Sequence, residues 1–367
     1  MDKFYFLVEW QKNKEATWSG TCWGLYNALN KHLNITDYNL CDSELNVFFH
    51  KCMRKLKIEK NDMNLPSIIR QKHKLTKKLE QKECTIFQFA EILPDTPYRK
   101  TYIYQDLSVD YIKYMYNNLP STFAVSAFQN QPYYAIEKRA LFQNEYYKNC
   151  SGIFTMGQWL AHDLIERCGL PSNKVHHVGG GINLDKNLIS YEAKQGNKIL
   201  FVGRDFKRKG GQIVLEAFNI LKQIGGGKNC QLYVAGPSSD PIPQGMDGYH
   251  YMGDCDHKTL SGLFNRCDIF VMPSYFEAYG LVFIEALTYG LPCIGRNAYE
   301  MPYFIENGKT GFLLEKDNAD DLAHLMYRLL KDETIKANVR AKKEWYVKEY
   351  SWDTVANRIL KVICDHE

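Results

Sequence analysis

From residue 198 to residue 295 the chain keeps one rhythm: short apolar runs each meet a glycine or proline, with stretches of helical length among them. Lys198–Val202 runs into Gly203 and Gln231–Ala235 into Gly236-Pro237; 249–252 meets Gly253, 268–272 meets Pro273-Ser274, and 292–294 meets Gly295. Helical spacing predicts helices over Gly211–Gln223, 258–266 and 280–289 between them. Strands and helices alternating at these lengths predict parallel strands joined by right-handed crossovers. The carboxyl ends of such strands share one sheet edge, the edge at which α/β folds bind ligands. Further helices are expected over Ala319–Lys331, 334–349 and 352–364.

The first half shows the same alphabet less cleanly. A buried strand is expected within 3–10, a helix over 20–33 and a polar helical stretch within 48–82. Further strands are expected at 85–90, 101–104, 122–126, 152–155 and 174–178. The run Gly179-Gly180-Gly181-Ile182-Asn183-Leu184-Asp185 reads as an exit from this domain. A length of 367 residues suits two domains. The expected division is residues 1–190, residues 196–345 and a terminal helix over 350–367.

Eleven cysteines with no Cys-x-x-Cys pair indicate neither a disulfide framework nor a zinc ribbon, and point to a reducing, cytoplasmic setting. No run approaches the roughly 18 apolar residues that span a bilayer, and no secretory signal is expected. The net charge of +4 implies no nucleic-acid partner. Between Lys51 and Lys82, however, eleven Lys and Arg face three acids. That stretch is either a solvated face or a patch that leans on an anionic lipid or acceptor at the membrane surface.

The strongest constellation is Phe276-Glu277-Ala278-Tyr279-Gly280-Leu281, running into a helix that carries Glu285. The first amides of that helix, near Ala278, Tyr279, Gly280 and Leu281, make an anion site, and Gly280 lets a phosphate approach. Glu285 lies roughly 7–8 Å further along the helix, the wrong charge for the phosphate but the right acceptor for the two hydroxyls of a ribose. A second piece is Gly203-Arg204-Asp205-Phe206-Lys207-Arg208-Lys209-Gly210, a strand end followed by four cations. If the ligand is a diphosphate, Arg204 and Lys209 neutralise its charge as it departs.

With this spacing, the chain resembles the family 4 retaining glycosyltransferases. The resemblance implies a GT-B fold, two Rossmann-like doubly wound α/β domains facing a central cleft, with acceptor binding in the first and nucleotide-sugar binding in the second. It places Glu277 toward the sugar and Glu285 on the ribose, and makes Gly203, Arg204 and Lys209 part of the diphosphate site. Asn307-Gly308-Lys309-Thr310-Gly311 and Tyr350-Ser351-Trp352 are similar to the family's late turn and the start of its final helix. The implied donor is a UDP or GDP sugar, with no further cofactor and no metal, and the acceptor a glycan or a lipid-linked glycan. Base recognition is expected near Tyr251 to Asp254, Met252 included, largely through backbone groups. Where many members have a Gly-Gly loop, this chain offers Gly20; where many have a histidine, it has Gln105 and Asp106, candidates for sugar hydroxyls.

Asp254-Cys255-Asp256 is formally a metal-binding Asp-x-Asp, but its position before a helix makes Asp256 a cap. Adjacent His176 and His177 fall on opposite faces of a strand and cannot chelate one ion. The tyrosines of 132–134 and 145–147 read mainly as packing residues. Rival readings are a nucleotide-sugar 2-epimerase of the same fold and a non-catalytic sugar-nucleotide-binding partner subunit. A glycosidase is weaker, since it has no use for a phosphate site.

Overall fold

The computed structural model describes residues 3–41, 63–79, 82–190 and 196–365. The chain divides into two units, residues 1–180 with 352–367, and residues 181–351.

The first unit holds β1 (Lys3–Val8), β2 (Ile35–Asn39), β3 (Cys84–Gln88), β4 (Arg99–Gln105), β5 (Gly152–Thr155) and β6 (Val175–His177). They form one parallel sheet in the order β2-β1-β3-β4-β5-β6. Helices buttress it because its central strands are apolar on both faces: Phe6, Ile86, Phe87, Tyr102, Ile103 and Phe154 are fully buried. The terminal helix Trp352–Asp365 packs on the helix Thr21–Asn30, where Lys31 Nζ meets Asp353 at 2.6 Å. The expected strand at 122–126 is instead the helix Pro120–Val125. Pro120 opens that helix, and Phe123 is its one buried side chain. Strand β2 was not expected: its sequence, Ile-Thr-Asp-Tyr-Asn, lies at the sheet edge and carries little apolar signal. Tyr146 and Tyr147 are core residues, whereas Tyr134 is exposed.

The second unit holds β7 (Lys198–Val202), β8 (Gln231–Ala235), β9 (Tyr249–Gly253), β10 (Ile269–Val271), β11 (Cys293–Arg296) and β12 (Gly311–Leu314). All neighbours pair in parallel, in the order β12-β11-β10-β7-β8-β9. The chain therefore starts in mid-sheet at β7, winds out to β9, returns beside β7 as β10 and winds out the other way. This is the doubly wound Rossmann order, and its direction reverses between β7 and β10. Successive crossovers leave that point on opposite faces, which makes the strand ends of β7 and β10 the topological switch point, where such sheets bind ligands. The expected helix over 334–349 is two, Glu333–Ala341 and Lys343–Glu349, with Lys342 between them.

Candidate functional site

The loops after β7 and β10 meet on one buried carboxylate. Glu277 is 9% exposed, and its Oε2 accepts from Lys209 Nζ at 3.1 Å, Ser274 Oγ at 3.2 Å and Arg208 Nη1 at 3.4 Å. Among the described residues nothing donates to Oε1. Burial pushes this carboxyl upward, but the charges of Lys209 and Arg208 outweigh it and hold the acid below its ordinary range. A charged carboxylate with one oxygen saturated and the other open is an acceptor prepared for a ligand hydroxyl.

Local sequence explains the arrangement. Lys209 crosses directly over Gly203, where a Cβ would overlap its Cδ, so the lysine reaches Glu277 only because position 203 is bare. Arg208 stitches the two loops together: Nη1 donates to the Phe276 carbonyl at 2.6 Å, Nε donates to Asp205 at 3.1 Å, and its own carbonyl accepts from the Tyr275 amide at 2.9 Å. The sequence reading missed Arg208 because four cations within six residues are alike in the letters, and only the turn of the loop decides which of them faces inward.

Three residues beyond Glu277, Gly280 caps the helix Leu281–Thr288 with φ at 97°. A Cβ there would lie 3.0 Å from Phe283 Cδ2 and 3.1 Å from Glu277 Cγ. Gly280 has no side chain with which to cap this helix, so the first turn presents amide donors and the positive end of its dipole beside Lys209 and Glu277. Ala278 and Leu281 are half-buried on that turn, while the Tyr279 ring turns into the core against Phe304. Glu285 is 7% exposed and accepts from the Asn183 backbone amide. Burial pushes its carboxyl up to about 7 against the opposing pull of that amide and of Lys209.

The structure separates the remaining candidates from this cluster. Arg204 leaves the same loop but pairs with Asp254, Nη2 to Oδ1 at 3.1 Å, with both side chains largely exposed. Met252 sits half-buried on β9, two residues before Asp254. Asp256 caps the helix His257–Arg266 by accepting from the Thr259 amide at 2.7 Å, so the two acids of Asp-x-Asp have different duties. Among the described residues no group of three or more His, Cys, Asp or Glu is placed to hold a metal ion.

In the first unit, Gly20 follows Trp18 and Ser19, and all three have left-handed backbone, φ 90°, 49° and 55°. The Asp106 carboxylate lies close enough to raise the Cys22 thiol further, beyond the larger effect of burial. Gln105 is a core side chain: it is 6% exposed, and its Oε1 accepts from the Tyr147 hydroxyl at 2.6 Å. Its Nε2 donates to the Leu107 carbonyl at 3.4 Å.

Two Rossmann-like units in tandem, the second with a basic cluster at its switch point, define the GT-B architecture. Solved structures agree. Sucrose-phosphate synthase from Thermosynechococcus elongatus superposes with a TM-score of 0.69 over 100% of this chain and 99% of that one, at 16% identity. Anabaena HepE, solved in complex with UDP and glucose, superposes at 0.63 over 99% and 100%, at 14% identity. Residues 186–346, within the second unit, match the profile of the glycosyl transferases group 1. An uncharacterized 41.2 kDa protein of the cps region in Klebsiella pneumoniae is 30% identical over 43% of this chain and 46% of its own. An uncharacterized glycosyltransferase of Methanocaldococcus jannaschii is 28% identical over 62% and 64%. The chain thus spans between about half and just under two thirds of the length of these curated relatives.

Proposed function

We propose that the chain is a family 4 retaining glycosyltransferase that moves a hexose from a UDP or GDP sugar to a hydroxyl of a glycan or lipid-linked acceptor. The observation that carries this reading is the open Oε1 of Glu277, held charged by Lys209 and Arg208 beside a helix that opens on Gly280. On this reading the diphosphate lies on the first turn of helix Leu281–Thr288 and on Lys209. Glu285 takes the ribose hydroxyls, and Glu277 Oε1 takes a hydroxyl of the sugar. The exposed Arg204–Asp254 pair is screened by solvent and cheap to open, so Arg204 turns from Asp254 to the phosphates when donor arrives. Anabaena HepE, crystallised with UDP and glucose, supports a donor of this chemistry.

Transfer then forms the bond between the acceptor oxygen and the sugar's anomeric carbon as the bond from that carbon to the diphosphate oxygen breaks. Attack comes from the face the diphosphate leaves. The acceptor proton passes to the departing phosphate oxygen, whose negative charge Lys209, Arg204 and the helix terminus stabilise, without a metal. The first unit serves as the acceptor domain, with Gly20 and Asp106 near its strand ends. The helix Leu65–Lys78 carries Arg70, Lys72, Lys74, Lys77 and Lys78 and no acid, and we assign it a peripheral contact with anionic membrane surfaces. Residues 51–62, 80 and 81 of the basic stretch lie outside the described residues. Among the described residues no helix is long and apolar enough to cross a membrane.

A thermal-shift panel of UDP, GDP, ADP, CMP and their sugar conjugates tests the donor assignment. A ligand of the folded state at about 100 times its Kd stabilises by about 2.7 kcal/mol. UDP or GDP compounds are expected to raise Tm; a flat panel overturns the reading. Proton NMR of the product reports retention, and transfer that survives EDTA reports metal independence.

A further inference from the structure

Strand β10 lies between β7 and β11, and the turn that leads from it to Glu277 is held from both flanks. On the β7 flank, a Cβ at Gly210 would lie 2.5 Å from the Pro273 carbonyl oxygen, and the Tyr275 amide donates to the Arg208 carbonyl at 2.9 Å. On the β11 flank stands Arg296, the last residue of that strand, with a largely buried side chain. Its Nη2 donates to the Pro273 carbonyl at 3.2 Å and its Nε to the Ser274 carbonyl at 3.1 Å, so one guanidinium spans two successive carbonyls. The guanidinium is itself fixed: Nη2 meets Asp317 Oδ1 at 2.8 Å, and Cζ lies over the Tyr275 ring, 4.5 Å from its centroid. Between the flanks, the Ser274 amide donates back to the Met272 carbonyl at 2.9 Å. The fully buried Ser274 then turns its hydroxyl onto Glu277 Oε2 at 3.2 Å.

We infer that Arg296 is a positioning residue for the donor's sugar: by fixing the Pro273-Ser274 turn it holds the Ser274 hydroxyl on Glu277 Oε2, and so sets where Oε1 points. This rests on reading Glu277 Oε1 as the acceptor for a sugar hydroxyl. The last torsion of a glutamate is broad, so the free oxygen has a defined direction only where the other is tethered. Lys209 and Arg208 hold Oε2 from long stems that can follow a turning carboxylate. Ser274 holds it from a single carbon, so that tether is as exact as the main chain beneath it, and Arg296 fixes that main chain. A planar fork with donors in set directions suits two carbonyls in a row, which a lysine ammonium does not. Arg296 acts through Ser274 on Glu277, so its effect falls on the sugar increment of affinity and not on the nucleotide.

The test is calorimetric titration of UDP and of UDP-glucose into the wild type, Arg296→Met, Arg296→Lys, Ser274→Ala, and Ser274→Ala combined with each Arg296 variant. If the wild type prefers guanosine, GDP and GDP-mannose replace them. Lysine keeps a charge for Asp317, so Arg296→Lys carries the test should Arg296→Met fail to fold. The nucleotide Kd is expected to stay within about twofold of wild type throughout. The sugar-nucleotide Kd is expected to weaken on the order of 10-fold in each single variant and no further in the combined ones, because both changes break one tether. Unchanged sugar-nucleotide affinity in the Arg296 variants overturns the assignment. So does equal weakening of both ligands, which marks a merely structural arginine, and so does a combined variant weakened by the product of the single effects. A wild type that binds neither nucleotide nor sugar nucleotide overturns the donor-site reading itself, and this assignment with it.

Discussion

Replacing Lys209 by Met removes the ammonium while keeping a stem that crosses Gly203. Two consequences separate. For stability, losing the sole partner of a buried charge costs about 3–5 kcal/mol. Glu277 retains Arg208 at 3.4 Å and Ser274 at 3.2 Å, so the cost here shrinks to roughly 1–2 kcal/mol, a fall of about 2–8 °C in Tm for a unit of this size. The Glu277 carboxyl should also climb, because the largest charge opposing its burial has gone. For catalysis, Lys209 is assigned to charge that develops as the diphosphate leaves, and removing one such group lowers kcat about 10²–10³-fold. Donor Kd should change much less, since ground-state phosphate keeps the helix terminus. Steady-state kinetics at saturating donor, calorimetric Kd and thermal melts on one preparation separate the three effects. A kcat within about threefold of wild type, or a loss confined to Kd, refutes the leaving-group role.

Three further predictions concern groups nearby and one network far from the site. Glu285 has a folded pKa raised to about 7, so its contribution to stability is fully present below about pH 4.5 and is lost as pH rises through 7. Across that window wild type should lose roughly 3 kcal/mol relative to Glu285→Gln, as read from melts against pH. If the ribose needs a carboxylate, donor affinity should rise over the same window, and the Gln variant should be weaker and flat; parallel wild-type and variant profiles exclude that role. Gly280→Ala puts a Cβ against Phe283 and Glu277 at a positive φ, and should cost about 1–3 kcal/mol along with donor affinity. An unchanged Tm would show that the turn tolerates a side chain. In the first unit, Arg139→Met leaves the buried Glu91 with Gln143 alone among the described residues, and should destabilise by about 3–5 kcal/mol in a denaturant titration without altering donor Kd.

The second half of the chain was legible because β7 to β10 are short runs that end within two residues of a Gly or Pro. β7, β8 and the helices Gly211–Gln223 and Ala319–Lys331 fall where spacing placed them. The first half resisted for physical reasons. β2 is an edge strand with polar letters, and the helix Tyr133–Lys148 mixes tyrosines and charges around its circumference, so no apolar stripe marks it. At the site, spacing located Glu277, Glu285, Lys209 and Gly280 on one sheet edge. It could not tell Arg204 from Arg208, since that depends on which way a turn directs its side chains. Nor could it reveal the Asn183 amide on Glu285, because a main-chain donor has no letter. Nor do the letters show that the Oε1 of Gln105, which stands where the family often has a histidine, accepts from the buried Tyr147 hydroxyl.

The most direct test is a crystal structure of this chain soaked with the sugar nucleotide that gives the largest thermal shift. The account predicts phosphate oxygens about 3 Å from Lys209 Nζ and from the amides that follow Gly280, with both ribose hydroxyls on Glu285 and a sugar hydroxyl on Glu277 Oε1. A ligand seated elsewhere, with those groups keeping only the protein partners described above, would contradict it.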